Sequence, residues 1–127
     1  MSNGLSKKVI LLVDDDEIHL SITQNMLENH YDVLTTNSGS KAIEFFSRGI
    51  FPDLVLLDVM MPDMDGWETY NRIKGISLLK KIPIIFLTSM EDEAAKIHAF
   101  KLGVADYIKK PCTREDLLNS ITRVLSL

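Results

Sequence analysis

The side chains able to do chemistry in this sequence follow directly on short apolar runs. Asp14, Asp15, Asp16 and Glu17 follow the run 9–13, and Asp58 follows Leu54-Val55-Leu56-Leu57. Thr88 and Ser89 follow the run 84–87, and Lys110 follows the run 105–108. Carboxylates gathered at such range resist joint ionisation, because like charges raise one another's pKa. A hard divalent cation with oxygen ligands resolves that repulsion, and Mg²⁺ is the natural candidate. A hydroxyl and an ammonium beside the cluster suit a bound phosphoryl group. The ammonium answers its charge and the hydroxyl donates to one of its oxygens.

Each of these residues also has a plainer reading. Aspartate is a common helix N-cap, and acids in a first helical turn favour the helix dipole. Asp16 and Glu17 fit that description. Asp58 does not, since apolar residues precede it and Val59-Met60-Met61-Pro62 follow. Thr88 alone reads as a cap and Lys110 alone as a surface lysine. Four strand ends converging on one chemistry favour a site. Other phosphate-binding solutions do not fit: there is no G-x-x-x-x-G-K-[ST], and carboxylates stand where a dinucleotide fold places glycines.

Elements must carry these residues to one place. Five short runs rich in β-branched or bulky apolar residues (9–13, 31–35, 54–57, 84–87 and 105–108) read as strands. Between them lie helical spacings: Ile18, Ile22 and Met26; Ala42, Ile43 and Phe46; Trp67, Tyr70 and Ile73; Ala94, Ile97 and Phe100; and finally Leu117, Ile121 and Leu125. This alternation predicts an α/β fold with a doubly wound, five-stranded parallel sheet. Strands one, three and four are apolar nearly throughout, as strands covered on both faces must be. Gly39 opens helix two, Pro83 starts strand four, Gly103 stops helix four, and Thr113 with Asp116 forms a capping-box pattern. In such a sheet, ligands gather at the carboxyl ends of the strands, where the strand order reverses.

Composition narrows the class. The 127 residues make one domain's length, with residues 1–7 expected as a loose tail, 8–127 as the folded unit, and no second domain or linker. The apolar share of 46% excludes disorder for most of the chain. A net charge of −4 argues against direct nucleic-acid binding. No run approaches the roughly 20 apolar residues of a membrane helix, and the first residues carry no secretion-signal core. The single cysteine, Cys112, excludes an internal disulfide. A cytoplasmic protein without membrane insertion is expected.

With these residues in view, the sequence resembles the receiver domain of two-component response regulators, of the chemotaxis-regulator kind. The matching stretches are Val13-Asp14-Asp15-Asp16, the run from Leu57-Asp58 through Pro62-Asp63-Met64-Asp65-Gly66, then Leu87-Thr88-Ser89, and Lys110-Pro111. They span about residues 8–126 in family order and spacing. The resemblance implies a flavodoxin-like (βα)5 sheet of strand order 2-1-3-4-5, the order for which a member of this family is a standard example. It implies that Asp58 is the phosphoacceptor. Asp14 and Asp15 would hold Mg²⁺, Asp15 directly and Asp14 largely through water, with Asp58 and the backbone carbonyl of Met60 as further ligands. Lys110 would pair with the phosphoryl group and Thr88 would hydrogen-bond it. Tyr107 would be the aromatic that turns inward on activation, and the Lys110–Pro111 bond would be cis.

The implied function is a phosphoacceptor switch rather than an enzyme with an external product. The phosphoryl donor would be a phosphohistidine of a sensor kinase or a histidine phosphotransfer protein. The target would be a downstream effector reached through the face of helix four, strand five and helix five. Homodimerisation through that face is left open. The alternative is a non-phosphorylated adaptor of the same fold, acting by binding alone. A phosphatase acting on outside substrates is disfavoured by the short loops. Cys112 and Ser89 depart from the commonest family residues without touching the required chemistry. Met60 and Met90 occupy positions that tune phosphoryl lifetime in the family. His19, His30 and His98 lie far apart in sequence and show no metal-ligand spacing.

Overall fold

The computed structural model describes residues 7–76 and 79–126. In chain order its elements are β1 Val9–Val13, α1 Glu17–Leu27, β2 Asp32–Thr36, α2 Gly39–Ser47, β3 Leu54–Leu57, α3 Gly66–Lys74, β4 Ile84–Thr88, α4 Glu93–Leu102, β5 Asp106–Lys109 and α5 Arg114–Leu125. All strand pairings are parallel, in the order β2-β1-β3-β4-β5, as expected. Strand bounds depart from the sequence runs by a residue at β2, β4 and β5. Of the expected tail, residues 1–6 lie outside the described residues. Lys7 is exposed and its ammonium donates to the Glu28 carbonyl at 3.2 Å. No helix among the described residues is long and apolar enough to cross a membrane.

The two-residue period of the strands builds two cores from one sheet. Leu11, Val13, Val55, Leu57, Ile84 and Phe86 point to one face and pack on Ala42, Phe46, Tyr70, Ile73 and Ala99 of α2, α3 and α4. Ile10, Leu12, Leu54, Leu56, Ile85 and Leu87 point to the other and pack on Leu20, Leu27, Leu117, Ile121 and Val124 of α1 and α5. Burial of each Val, Leu, Ile or Phe side chain among these is worth about 1.5–3 kcal/mol. This double coverage explains why β1, β3 and β4 are apolar runs, while the edge strands β2 and β5 are only half-buried.

The helix starts are set by side-chain caps. Asp16, Ser38, Asp65, Asp92 and Thr113 each accept from a backbone N–H in the first turn of their helix. Each such cap is typically worth about 1 kcal/mol. Thr88 is not among them: α4 starts on Asp92, four residues further on. Gly103 ends α4 with φ of 108°, a left-handed conformation that glycine adopts without a Cβ penalty.

Two of the expected apolar stripes turn mostly away from the core, although Met26 of the first packs against it. In α1 the buried residues are Leu20, Thr23 and Leu27, while Ile18 and Ile22 are 70% and 49% exposed. In α4 only Ala99 is fully buried, and Ile97 and Phe100 are about half exposed. Both helices carry apolar residues on more than one side, so spacing alone does not say which side meets the sheet. In α5, Leu117 and Ile121 are buried as expected, with Val124 rather than Leu125 completing the line.

Candidate functional site

Register assembles the site. Val13 of β1 lies opposite Leu57 of β3, so the residues that follow, Asp14 and Asp58, leave adjacent parallel strands at the same edge. Two backbone bonds hold them there: Asp58 N donates to the Val13 carbonyl at 2.9 Å, and Asp14 N to the Thr36 carbonyl at 3.2 Å. Because β1 sits between β2 and β3, this edge is where the chain reverses direction across the sheet. Asp14 and Asp58 are each only 7% exposed, whereas Asp15 is open to solvent.

Oxygens of Asp14, Asp15 and Asp58 all lie within 4.8 Å of one another. Lys110 answers part of this charge. Its ammonium donates to Asp14 Oδ2 at 2.6 Å and to Asp58 Oδ2 at 3.4 Å. Asp14 Oδ1 accepts from Asp16 N at 2.9 Å, and Asp58 Oδ1 from Met60 N at 3.3 Å. Burial pushes the Asp58 carboxyl above the usual carboxylate range. The Lys110 ammonium and the Thr88 hydroxyl oppose that rise, while the Asp14 charge adds to it. Three carboxylates against one ammonium leave a surplus of negative charge, on an all-oxygen donor set. That set fits a hard divalent cation, which would neutralise the surplus and polarise a phosphoryl oxygen.

The remaining expected residues converge on the same edge. Thr88, wholly buried at the end of β4, accepts from Met90 N at 3.3 Å through its hydroxyl oxygen. Lys110 N donates to the Thr88 carbonyl at 2.8 Å, which ties the β5 end to the β4 end. The Lys110–Pro111 peptide bond is cis, as expected. The Tyr107 hydroxyl donates to the Met90 carbonyl at 3.0 Å, and its ring meets Phe86 edge-on at 6.2 Å between centroids. Tyr107 therefore already lies along the β4–α4 loop that follows Thr88. Burial raises its phenol pKa, with the Asp92 and Asp58 charges adding. Met60 is exposed, beside Asp58.

Gly66 makes the approach of α3 to this loop feasible. A Cβ there would collide with the Asp58 carbonyl oxygen and sit 2.6 Å from Val59 Cα. Gly66 N donates to the Val59 carbonyl at 2.8 Å, so α3 starts directly against the residues that carry Asp58.

Sequence reasoning passed over one neighbour of the site. His19, in the first turn of α1, places Nδ1 3.3 Å from the Lys110 ammonium. Residues 19 and 110 are 91 positions apart in the chain, so no local pattern links them. The same histidine lines an apolar cavity of about 250 Å³ with Ile22, Met26, Leu87, Pro111 and Cys112. Burial raises the Cys112 thiol pKa. His98 packs on Trp67 with ring centroids 5.0 Å apart.

The family model for the response regulator receiver domain matches residues 10–122. Response regulator SaeR of Staphylococcus aureus is 37% identical over 118 residues, which cover 92% of this chain and 50% of that protein. The chain thus spans about half the length of the curated relatives it matches. Among solved structures, a response regulator from Chloroflexus aurantiacus superposes with a TM-score of 0.89 at 30% identity, over 96% of this chain and 100% of that one. The Mn²⁺-bound form of response regulator Rcp1 superposes with a TM-score of 0.77 at 29% identity, over 94% and 93% of the two chains. With the fold, the motifs and these likenesses in agreement, the chain belongs to the response regulator receiver domain family, the phosphoacceptor switches of two-component signalling.

Proposed function

We propose that this protein accepts a phosphoryl group on Asp58 from a phosphohistidine of a sensor kinase or histidine phosphotransfer protein, with Mg²⁺ held by Asp14, Asp15, Asp58 and the Met60 carbonyl. The observation that carries this reading is the pairing of a nearly buried carboxylate with a lysine 3.4 Å away at the sheet's carboxyl edge. In the transfer, a carboxylate oxygen of Asp58 forms a bond to phosphorus. The donor's P–N bond breaks, and the departing imidazole takes a proton from solvent. Lys110 and Thr88 would donate to the phosphoryl oxygens. The cation, when bound, neutralises oxygen charge on both carboxylates and phosphoryl group. Hydrolysis reverses the state: a water oxygen bonds to phosphorus, the Asp58 O–P bond breaks, and inorganic phosphate leaves.

The aspartyl phosphate carries more charge and more acceptor oxygens than the carboxylate it replaces. Thr88 can follow it, and the Met90 carbonyl that receives Tyr107 lies two residues on. That route carries the change to the face of α4, β5 and α5, where an effector would bind. The fold unit bearing this activity is residues 8–127.

Intact-mass spectrometry after incubation with acetyl phosphate and Mg²⁺ tests the reading. One added phosphoryl group is expected in the wild type, none in Asp58→Asn and none with EDTA. No gain in the wild type, with either acetyl phosphate or a phosphohistidine donor, would replace the switch with an adaptor that acts by binding alone.

A further inference from the structure

The Lys110 ammonium has three N–H groups to place. Two go to carboxylates, at 2.6 Å to Asp14 and 3.4 Å to Asp58. The third has a partner outside the acidic cluster: His19 Nδ1, at 3.3 Å. The Lys110 side chain is only 12% exposed, so an N–H left without a protein acceptor has little water to turn to.

His19 is held where it can serve. The Asp16 carboxylate accepts from both Ile18 N and His19 N, and Asp16 N is bonded to Asp14 Oδ1. The backbone under the imidazole is therefore pinned to the same loop that supplies Asp14. The imidazole faces three groups: the Lys110 ammonium at 3.3 Å, Asp16 Oδ2 at 3.6 Å and Asp14 Oδ2 at 4.0 Å. The ammonium is the nearest, and an ammonium can only donate. For this contact to be a hydrogen bond, Nδ1 accepts through its lone pair and the ring proton is on Nε2; the two carboxylates favour the opposite tautomer.

We infer that His19 is a positioning residue for Lys110: its Nδ1 accepts one ammonium N–H and holds the charge at the point between Asp14 and Asp58 where a phosphoryl oxygen would arrive. The inference rests on the proposed phosphoacceptor reading for its consequence, but not for the contact itself. Without the acceptor, the ammonium is free to turn wholly onto Asp14, its shorter partner, and away from Asp58. Geometry of this kind is expensive to lose, since small displacements of a charged donor weaken its hold on developing charge.

Two measurements decide it. The first is ¹H–¹⁵N correlation NMR of the histidine rings at about pH 8, above the usual imidazole range. The Nε2–H tautomer is expected for His19 in the wild type, and Lys110→Met should move the Nδ1 resonance toward that of a free acceptor. An Nδ1–H tautomer, or an Nδ1 signal unchanged in Lys110→Met, would overturn the contact, whether or not Asp58 accepts phosphate. The second is the rate of Asp58 labelling by acetyl phosphate. His19→Leu should slow it about threefold to tenfold, the worth of one hydrogen bond. His19→Asn, whose side-chain oxygen can take the place of Nδ1, should recover most of the loss. A Leu variant as fast as the wild type, or an Asn variant as slow as Leu, would reject the positioning role. If the wild type itself is not labelled, the phosphoacceptor reading fails, and the NMR result alone decides the Lys110–His19 bond.

Discussion

At the strand starts, Asp53 and Asp106 are held by short hydrogen bonds. Asp53 accepts from Val9 N at 2.7 Å and its own N–H donates to the Val9 carbonyl at the same distance, clamping β3 to β1. Asp106 accepts from Ser120 Oγ at 2.5 Å, Arg123 at 2.7 Å and Tyr107 N at 2.8 Å, which fastens α5 to β5. At the end of β3 the same residue type is treated differently. Asp58 is buried, yet its bonds are long, at 3.3 Å and 3.4 Å, and a second carboxylate presses on it. A carboxylate with three short donors, as at Asp106, has little capacity left for a ligand. An under-supplied, buried one keeps oxygens free and stores a cost that a ligand can relieve. Charge that holds the fold together and charge kept ready for chemistry are thus separated to opposite ends of one sheet.

The sharpest way to break this contrast is to remove the ammonium that pairs with both buried carboxylates, Lys110. Lys110→Met should cut Asp58 labelling by acetyl phosphate about 100-fold. It should also lower stability by about 3 kcal/mol in EDTA, because two buried carboxylates lose their counter-charge. Urea unfolding with and without Mg²⁺ checks this, and added Mg²⁺ should recover part of the stability. At the other end, Asp106→Ala should cost about 2 kcal/mol in the same assay, since the Ser120 hydroxyl is buried and left unpaired. Labelling of Asp58 should stay at the wild-type rate. Asp53→Ala should cost about 1 kcal/mol, again without loss of labelling.

The smallest effect concerns pH. Burial holds the folded Asp58 pKa above the ordinary value of 3.8. The folded state therefore binds this proton more tightly than the unfolded chain. Its contribution to stability is fully present below the ordinary value and fades as pH rises through the raised one. Asp58→Asn lacks this titration. In EDTA, the melting temperature of Asp58→Asn relative to wild type should rise as pH climbs from about 3.5 toward neutrality. A difference that stays flat would mean that Asp58 is as comfortably solvated as an exposed aspartate.

Much of this contrast is visible in the order of residues along the chain. An unbroken apolar run such as Leu54–Leu57 ending in a lone aspartate is a local statement, and it placed Asp58 correctly at the end of β3. The same holds for Asp14 after β1, Thr88 ending β4 and Lys110 after β5. Capping is equally local, and Asp16 and Thr113 cap as their positions suggest. Helix faces were less legible. In α1, both Ile18-Ile22-Met26 and Leu20-Thr23-Leu27 follow helical spacing, and only the sheet decides that the second line is buried. In α4, the spacing of Ala94, Ile97 and Phe100 is helical too, yet Ala99 is the residue that meets the sheet.

By itself, then, the sequence determined the element order and the residues that lead the chemistry, since periodicity, capping and strand-end charge all act within a few residues of where they are written. Tertiary structure decided which side of each amphipathic helix turns inward, that Tyr107 bonds the Met90 carbonyl, and that the His19 imidazole meets the Lys110 ammonium. Those contacts join segments 17 and 91 residues apart, and their distances exist only once parallel pairing has brought the strand ends to one edge.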